Sequence, residues 1–258
     1  MFRPRYICIL VLLLFGIGLL FIIPSHRKPP PSPTRAKGIT LYGYDEEGTP
    51  AWSVKAEEGT LTDKDGDLMQ VEISIYKAGN EDIWARADRL LFTGEEALLK
   101  GGVRINHGDG YHMSTEQATW NQTTGEITAS EMRISVERIK IEAGGVSYNL
   151  DKKCLSINDG FAAEIDFSMR FSISGDRARE EDGKLVLEGE LSVLGEEEEY
   201  HCGRIDYAGS EKLILSAGVA GSFPAGSLHA GEVKLTADGG ITAREDVKLL
   251  LKREFFSR

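Results

Sequence analysis

The 258-residue chain carries 41 acidic and 30 basic side chains, 29 glycines and 8 prolines, with 41% hydrophobic and 28% charged residues. This is ordinary globular composition, which excludes a disordered tail and a polytopic membrane protein, and the length suits one large or two small packed domains. Six bases (Arg3, Arg5, Arg27, Lys28, Arg35 and Lys37) precede the first acid, Asp45, so residues 38–258 hold the other 24 against 41 acids, a net of −17. Nucleic acid partners are therefore disfavoured, because their binding draws on Lys and Arg displacing counterions.

In chain order, residues 1–5 form a short basic N-terminus, and Tyr6 to Ile23 is an 18-residue stretch without a charge. At about 1.5 Å per residue it spans roughly 27 Å as a helix, close to the hydrocarbon thickness of a bilayer, and is read as one transmembrane helix. A cleaved signal peptide competes with that reading. The apolar run is long for one, however, and Pro24-Ser25-His26-Arg27 follows it in place of a small-x-small cleavage site. Cys8 sits early in the run, where a buried thiol suits it better than lipidation. A plain count of positive charge puts the large domain in the cytoplasm, but the rule weakens for long translocated domains. A very short basic N-terminus more often stays inside, so the expected topology is N-terminus cytoplasmic and main domain outside. Residues 24–37, with five prolines, are read as an extended spacer.

Residues 38–258 contain an internal repeat: a small residue, two polar residues, an aliphatic or small residue, one polar residue, then an aromatic or aliphatic one. Ala87-Leu90-Phe92, Thr115-Ala118-Trp120 and Ala143-Val146-Tyr148 follow it at a step of 28 residues, as do Cys202-Ile205-Tyr207 and Ala230-Val233-Leu235. Ala56-Gly59-Leu61 is a weaker copy, and Gly175 with Ala178 a degenerate one. Alternation precedes the small residue, as in Ile83-x-Ala85-x-Ala87, Tyr111-x-Met113-x-Thr115 and Ile139-x-Ile141-x-Ala143, which is the period of a strand with one apolar face. The polar pairs Asp88-Arg89, Glu116-Gln117 and Gly144-Gly145 interrupt it as a β-bulge does, so the apolar set returns to the same face. Second strands are expected at Ala97–Leu99, Ile127–Ala129 and Leu155–Ile157, then at Val103–Ile105 and Met132–Ile134, with turns at Gly94, Thr124-Gly125 and Gly209-Ser210. Seven such units without an amphipathic helix predict an all-β protein, one long antiparallel sheet folded on itself into an open, elongated sandwich or jelly roll.

The sequence also resembles the LptC family, the bitopic inner-membrane components of the lipopolysaccharide transport bridge, and more broadly the OstA-like β-jelly rolls of that pathway. The features that carry the likeness are the N-terminal apolar segment; Ile39-Thr-Leu41-Tyr42-Gly43-Tyr44 with Gly48-x-x-Ala51-Trp52-x-Val54-x-Ala56; and Ala87-Asp88-Arg89-Leu90 leading to Leu98-Leu99-Lys100-Gly101-Gly102-Val103-Arg104-Ile105. They cover about residues 1–165, leaving 38–165 as an LptC-like jelly roll. Residues 166–258 are either its continuation or a second unit similar to the periplasmic protein LptA. The resemblance implies a periplasmic domain without catalytic residues. It would receive lipopolysaccharide from an inner-membrane ABC transporter of the LptB/LptF/LptG kind and pass it to an LptA-like partner.

An acidic domain repels the phosphates of such a glycolipid, so binding must draw on acyl chains, each buried methylene contributing roughly 0.8 kcal/mol. The expected groove comprises Ile83, Ala85, Ala87, Leu90, Phe92, Met113, Ala118, Trp120, Ile139, Ile141, Ala143, Val146 and Tyr148. A docking edge is expected in a final strand over residues 246–252, through Val247, Leu249 and Leu251. The alternative is a scaffold that recruits envelope proteins by its sheet edges, with the apolar face closed into a dry core.

No cofactor is expected. The five histidines show no metal-ligand spacing, and His201 and Cys202, being adjacent, face opposite sides of a strand. Cys154 and Cys202 are read as free thiols in preference to a disulfide, and Glu196–Glu199 as a solvated hairpin tip. A carboxylate-pair hydrolase stays formally open, since the fold and not the spacing would make the pair.

Overall fold

The computed structural model describes residues 34–252, apart from residues 46, 63, 78, 79, 109, 151, 153, 168, 169, 182, 183, 208, 210 and 211. The expected transmembrane helix over 6–23 and most of the spacer lie outside the described residues. Among the described residues there are strands and turns only, and no helix is long and apolar enough to cross a membrane.

Eight strands of 10–14 residues come first: β1 (Thr34–Tyr44), β2 (Pro50–Leu61), β3 (Asp65–Lys77), β4 (Asn80–Thr93), β5 (Glu96–His107), β6 (His112–Asn121), β7 (Glu126–Val136) and β8 (Ile139–Asn149). They form an antiparallel meander, each pairing with the next. Strand β1 takes in the last four residues of the expected spacer, Thr34 to Lys37. Shorter strands follow: β9 (Cys154–Ile157), β10 (Phe161–Asp166), β11 (Arg170–Gly175) and β12 (Arg177–Glu181). After the longer β13 (Lys184–Leu194) and β14 (Glu199–Tyr207) come β15 (Lys212–Ser216), β16 (Val219–Phe223), β17 (Gly226–Ala230), β18 (Glu232–Thr236), β19 (Ile241–Arg244) and β20 (Lys248–Leu251).

All twenty belong to one antiparallel sheet, and β8 shows how it is folded. Its first half, Ile139–Ala143, pairs with β10, whereas its second half, Val146–Asn149, pairs with β9. From there two rows run side by side. A first row continues through β10, β11, Ser192–Leu194 of β13, Glu199–His201 of β14, β16, β17 and β20. A second row continues through β9, β12, Lys184–Glu188, Arg204–Tyr207, β15, β18 and β19. Ten strands (β1–β8, β13 and β14) cross both rows, and the other ten do so in consecutive pairs, which makes fifteen passes among the described residues. Each copy of the sequence repeat is every second pass, and its polar pair marks the crossing between rows.

Alternation explains the burial. In β4, Ile83, Ala85 and Ala87 point inward on the first row, Asp88 and Arg89 are exposed at the crossing, and Leu90 turns inward again on the second. The bulge reading needs one correction. Strands β3 and β4 pass the crossing in register, Met69 opposite Arg89 and Val71 opposite Ala87. The inserted residue lies on β5, where Gly101 and Gly102 together oppose the single Glu116 of β6. Both glycines have positive φ, 77° and 51°, and a Cβ on Gly101 would press on the Asp88 carboxylate, so no larger residue fits there. Ala97–Leu99 and Val103–Ile105 are accordingly the two halves of one bulged strand, not separate strands, and Ile127–Ala129 and Met132–Ile134 are likewise halves of β7.

Inward side chains from both rows make one hydrophobic core, so the rows face each other as two layers. Trp52 of the first row meets Trp120 of the second edge to face, with ring centroids 6.2 Å apart. His107 meets Tyr148 at 5.7 Å, and the Tyr207 hydroxyl donates to the Glu137 carboxylate at 3.3 Å. Burial, then the Glu137 charge, pushes the Tyr207 phenol up to about 12. Each buried Ile, Leu or Val in this interior contributes roughly 1.5–3 kcal/mol. The sheet runs on from β10 into β11 through six paired residues.

Candidate functional site

The thirteen residues expected to line a groove all lie on the inner faces of the layers. Seven belong to the first row (Ile83, Ala85, Ala87, Met113, Ile139, Ile141 and Ala143) and six to the second (Leu90, Phe92, Ala118, Trp120, Val146 and Tyr148). Twelve are buried and Phe92 is half-buried. Their facing is as the period requires, but the opposite layer covers most of them.

The interior opens at the β1 end. There a cavity of about 420 Å³ lies between Leu41, Trp52 and Val54 on one layer and Leu90, Phe92, Ala97 and Trp120 on the other. Its volume falls within the roughly 300–1,000 Å³ usual for small-ligand sites. Lys64, Gly94 and Gln122, from turns of the second layer, complete the lining, and the exposed Lys64 supplies its charge. Only Leu90, Phe92 and Trp120 of the expected set line this cavity. Leu41, Trp52 and Val54 stand in the segment that carried the family likeness, and a signal for them as a wall was available in the alternations Ile39-x-Leu41 and Trp52-x-Val54-x-Ala56.

Two aromatic walls are held back by glycines. Gly43 is paired across the ladder with Trp52, and Gly66 with Phe92. A Cβ on Gly43 would overlap the Trp52 indole, and one on Gly66 would overlap the Phe92 ring. Each ring therefore lies against bare backbone of the neighbouring strand, an arrangement that also covers an otherwise naked cross-strand position. The Trp120 indole Nε1 is buried and has no hydrogen-bond partner among the described residues.

Elsewhere, Cys154 and Cys202 are free, the first half-buried and the second buried. Burial pushes the Cys202 thiol up to about 11. His201 faces outward, 61% exposed, at 3.1 Å from Glu199. Among the described residues no group of His, Cys, Asp and Glu is placed to hold a metal ion. At the far end of the sheet, β20 is shorter than the expected strand and pairs, among the described residues, with β17 alone. Val247 just before it, Leu249 and Leu250 are 48%, 53% and 65% exposed, and Leu251 is half-buried. Strand β1, at the other end, pairs among the described residues with β2 alone.

Fold and cavity together define an all-β, two-layered protein whose apolar interior is accessible at one end. The chain belongs to the LptC-related lipopolysaccharide-assembly family, whose model matches residues 6–163. It is thereby a component of lipopolysaccharide transport. Among curated proteins none matches the chain. The family match ends within β10, while the same sheet continues through ten more strands.

Proposed function

We propose that this chain is a membrane-anchored periplasmic carrier, held by residues 6–23. It takes lipopolysaccharide from an inner-membrane ABC transporter of the LptB/LptF/LptG kind and passes it to an LptA-like jelly roll. The observation that carries the reading is the apolar cavity at the β1 end, with Trp52 and Phe92 laid against Gly43 and Gly66 so that its volume stays clear. Acyl chains supply the affinity through burial, and residues 166–258 extend the interior toward the docking edge at Val247, Leu249 and Leu251. The protein performs no chemistry of its own in this role.

A second reading, the scaffold that carries no lipid, draws on the burial of twelve of the thirteen inward residues. A photoreactive residue at Leu41 or Phe92, both at the cavity, separates the two. In cells it should crosslink to lipopolysaccharide, whereas the same residue on the outer face at Arg86 should not. Crosslinks absent from both cavity positions in a folded, anchored chain favour the scaffold.

A further inference from the structure

The cavity and the closed interior are adjacent, and Trp52 and Trp120 stand between the layers where they meet. Their edge-to-face contact joins the layers at the cavity's wall, and beyond Trp120 the inward set is buried. Trp120 is 5% exposed, and its Nε1–H lacks a partner among the described residues. A buried donor without an acceptor is costly, and a native structure that retains one usually has a use for it. Tryptophan is a donor only, so the missing group must be an acceptor. In a wall whose other polar side chains are Lys64 and Gln122, such a donor can be satisfied by an oxygen carried on a hydrophobic ligand.

We propose that Trp52 and Trp120 form a gate between the cavity and the interior, and that the Trp120 indole N–H binds an acyl carbonyl of the lipid that passes it. The inference rests on the carrier reading and deepens it, by naming the part of the lipid that is recognised. In the closed arrangement Nε1 is out of reach of solvent, so the acceptor arrives only when a ring packed there moves, and Trp52 is one such ring. The Trp52 indole lies over the bare backbone of Gly43, so no side chain at that cross-strand position stands in the way of its movement. Lys64 on the rim suits the anionic headgroup that follows a chain inward. Both lipopolysaccharide and phospholipid carry acyl carbonyls, so the carbonyl is the recognised chemistry and the source is decided by experiment.

The full chain, labelled with ¹⁵N-tryptophan and held in alkyl maltoside micelles, has three indole N–H groups, from Trp52, Trp84 and Trp120. Trp120→Phe identifies the Trp120 signal by its loss. Purified lipopolysaccharide should move that signal downfield, as should a diacyl phosphatidylglycerol if phospholipid also passes. The dialkyl ether analogue, which lacks the carbonyl, should leave it in place, and Trp84 on the outer face should not respond to any of them. Wild-type chain should bind the diacyl lipid about tenfold more tightly than the ether analogue, and Trp120→Phe should bind the two alike. Movement with phosphatidylglycerol alone keeps the gate and names phospholipid as its cargo. A Trp120 signal that stays still while either diacyl lipid binds overturns the gate, and so does undiminished discrimination in Trp120→Phe. If neither lipid binds the wild-type chain, the carrier reading fails and the gate fails with it. The measurement on wild-type chain stands even if the variant does not fold.

Discussion

Replacing Gly66 by alanine should fill the cavity with the protein's own Phe92. The new Cβ would overlap Cε1 and Cζ of the ring and sit 2.9 Å from Cδ1, where carbon atoms prefer about 3.5–4.0 Å. The ring must therefore move by roughly 1–2 Å or change rotamer, and the open volume beside it is the cavity. Overpacking of this kind costs about 1–3 kcal/mol. Fuller burial of the half-exposed ring, about 25 cal/mol per Å² for some 50 Å², and the lower chain entropy of alanine, ~0.4–1 kcal/mol, together offset about 2 kcal/mol of it. Stability should thus change by no more than about 2 kcal/mol, and the domain stays folded. Loading should suffer far more. A six-carbon ring excludes about four methylenes, worth roughly 0.8 kcal/mol each, or about two-hundredfold in affinity. Urea unfolding and lipid crosslinking from Leu41 would be measured in parallel, for Gly66→Ala and for Gly66→Ala combined with Phe92→Leu. The double variant should recover crosslinking. A folded single variant that loads as well as wild type would refute the reasoning, since the cavity would then be irrelevant to binding.

A reporter active only in the periplasm, fused after Arg258, should give signal; signal from a cytoplasmic reporter alone would reverse the topology. Hydrogen bonds from Arg89 at 2.7 and 2.6 Å hold the Asp67 carboxyl below its ordinary range. A carboxyl depressed on folding adds stability above its unfolded pKa and loses it as pH falls through the folded one. Arg89→Ala should therefore remove stability at neutral pH, with the gap to wild type closing in acid. Because the pair is 44% and 38% exposed, solvent screening keeps the gap small; urea midpoints at neutral and acid pH check its sign. Deleting residues 246–258, which removes β20, should abolish co-purification of an LptA-like partner and spare that of the transporter; retention of both places the docking edge elsewhere.

The 28-residue repeat was legible because two passes return the chain to the same row, so small inward residues such as Ala87, Thr115 and Ala143 recur at one step. Periodicity reports which face a side chain takes and not what covers it. Ile139 and Tyr148 have the same pattern as Phe92, yet only Phe92 lies at the cavity. The two polar residues at Asp88-Arg89 located the crossing, but local alternation does not distinguish an in-register kink from an inserted residue, so the bulge at Gly101-Gly102 was misplaced onto the neighbouring strands. The glycine seats were hidden for a different reason. Gly43 with Trp52, and Gly66 with Phe92, become partners only through ladder register, which no single stretch of sequence displays.

The described residues make fifteen passes, an odd number, and this gives their sheet a direction. The first pass, β1, leads from the second row into the first, and so does the last, β19 with β20. The two ends of the sheet are therefore unlike surfaces whose strands point the same way. A protein of the same plan that laid its own first strand along β20, rows aligned, would pair with it in parallel, through slanted hydrogen bonds slightly weaker per residue than those inside either domain. Such a joint repeats head to tail and cannot close on itself by a two-fold axis. Units added this way form a one-way track, and its junctions part before its domains do.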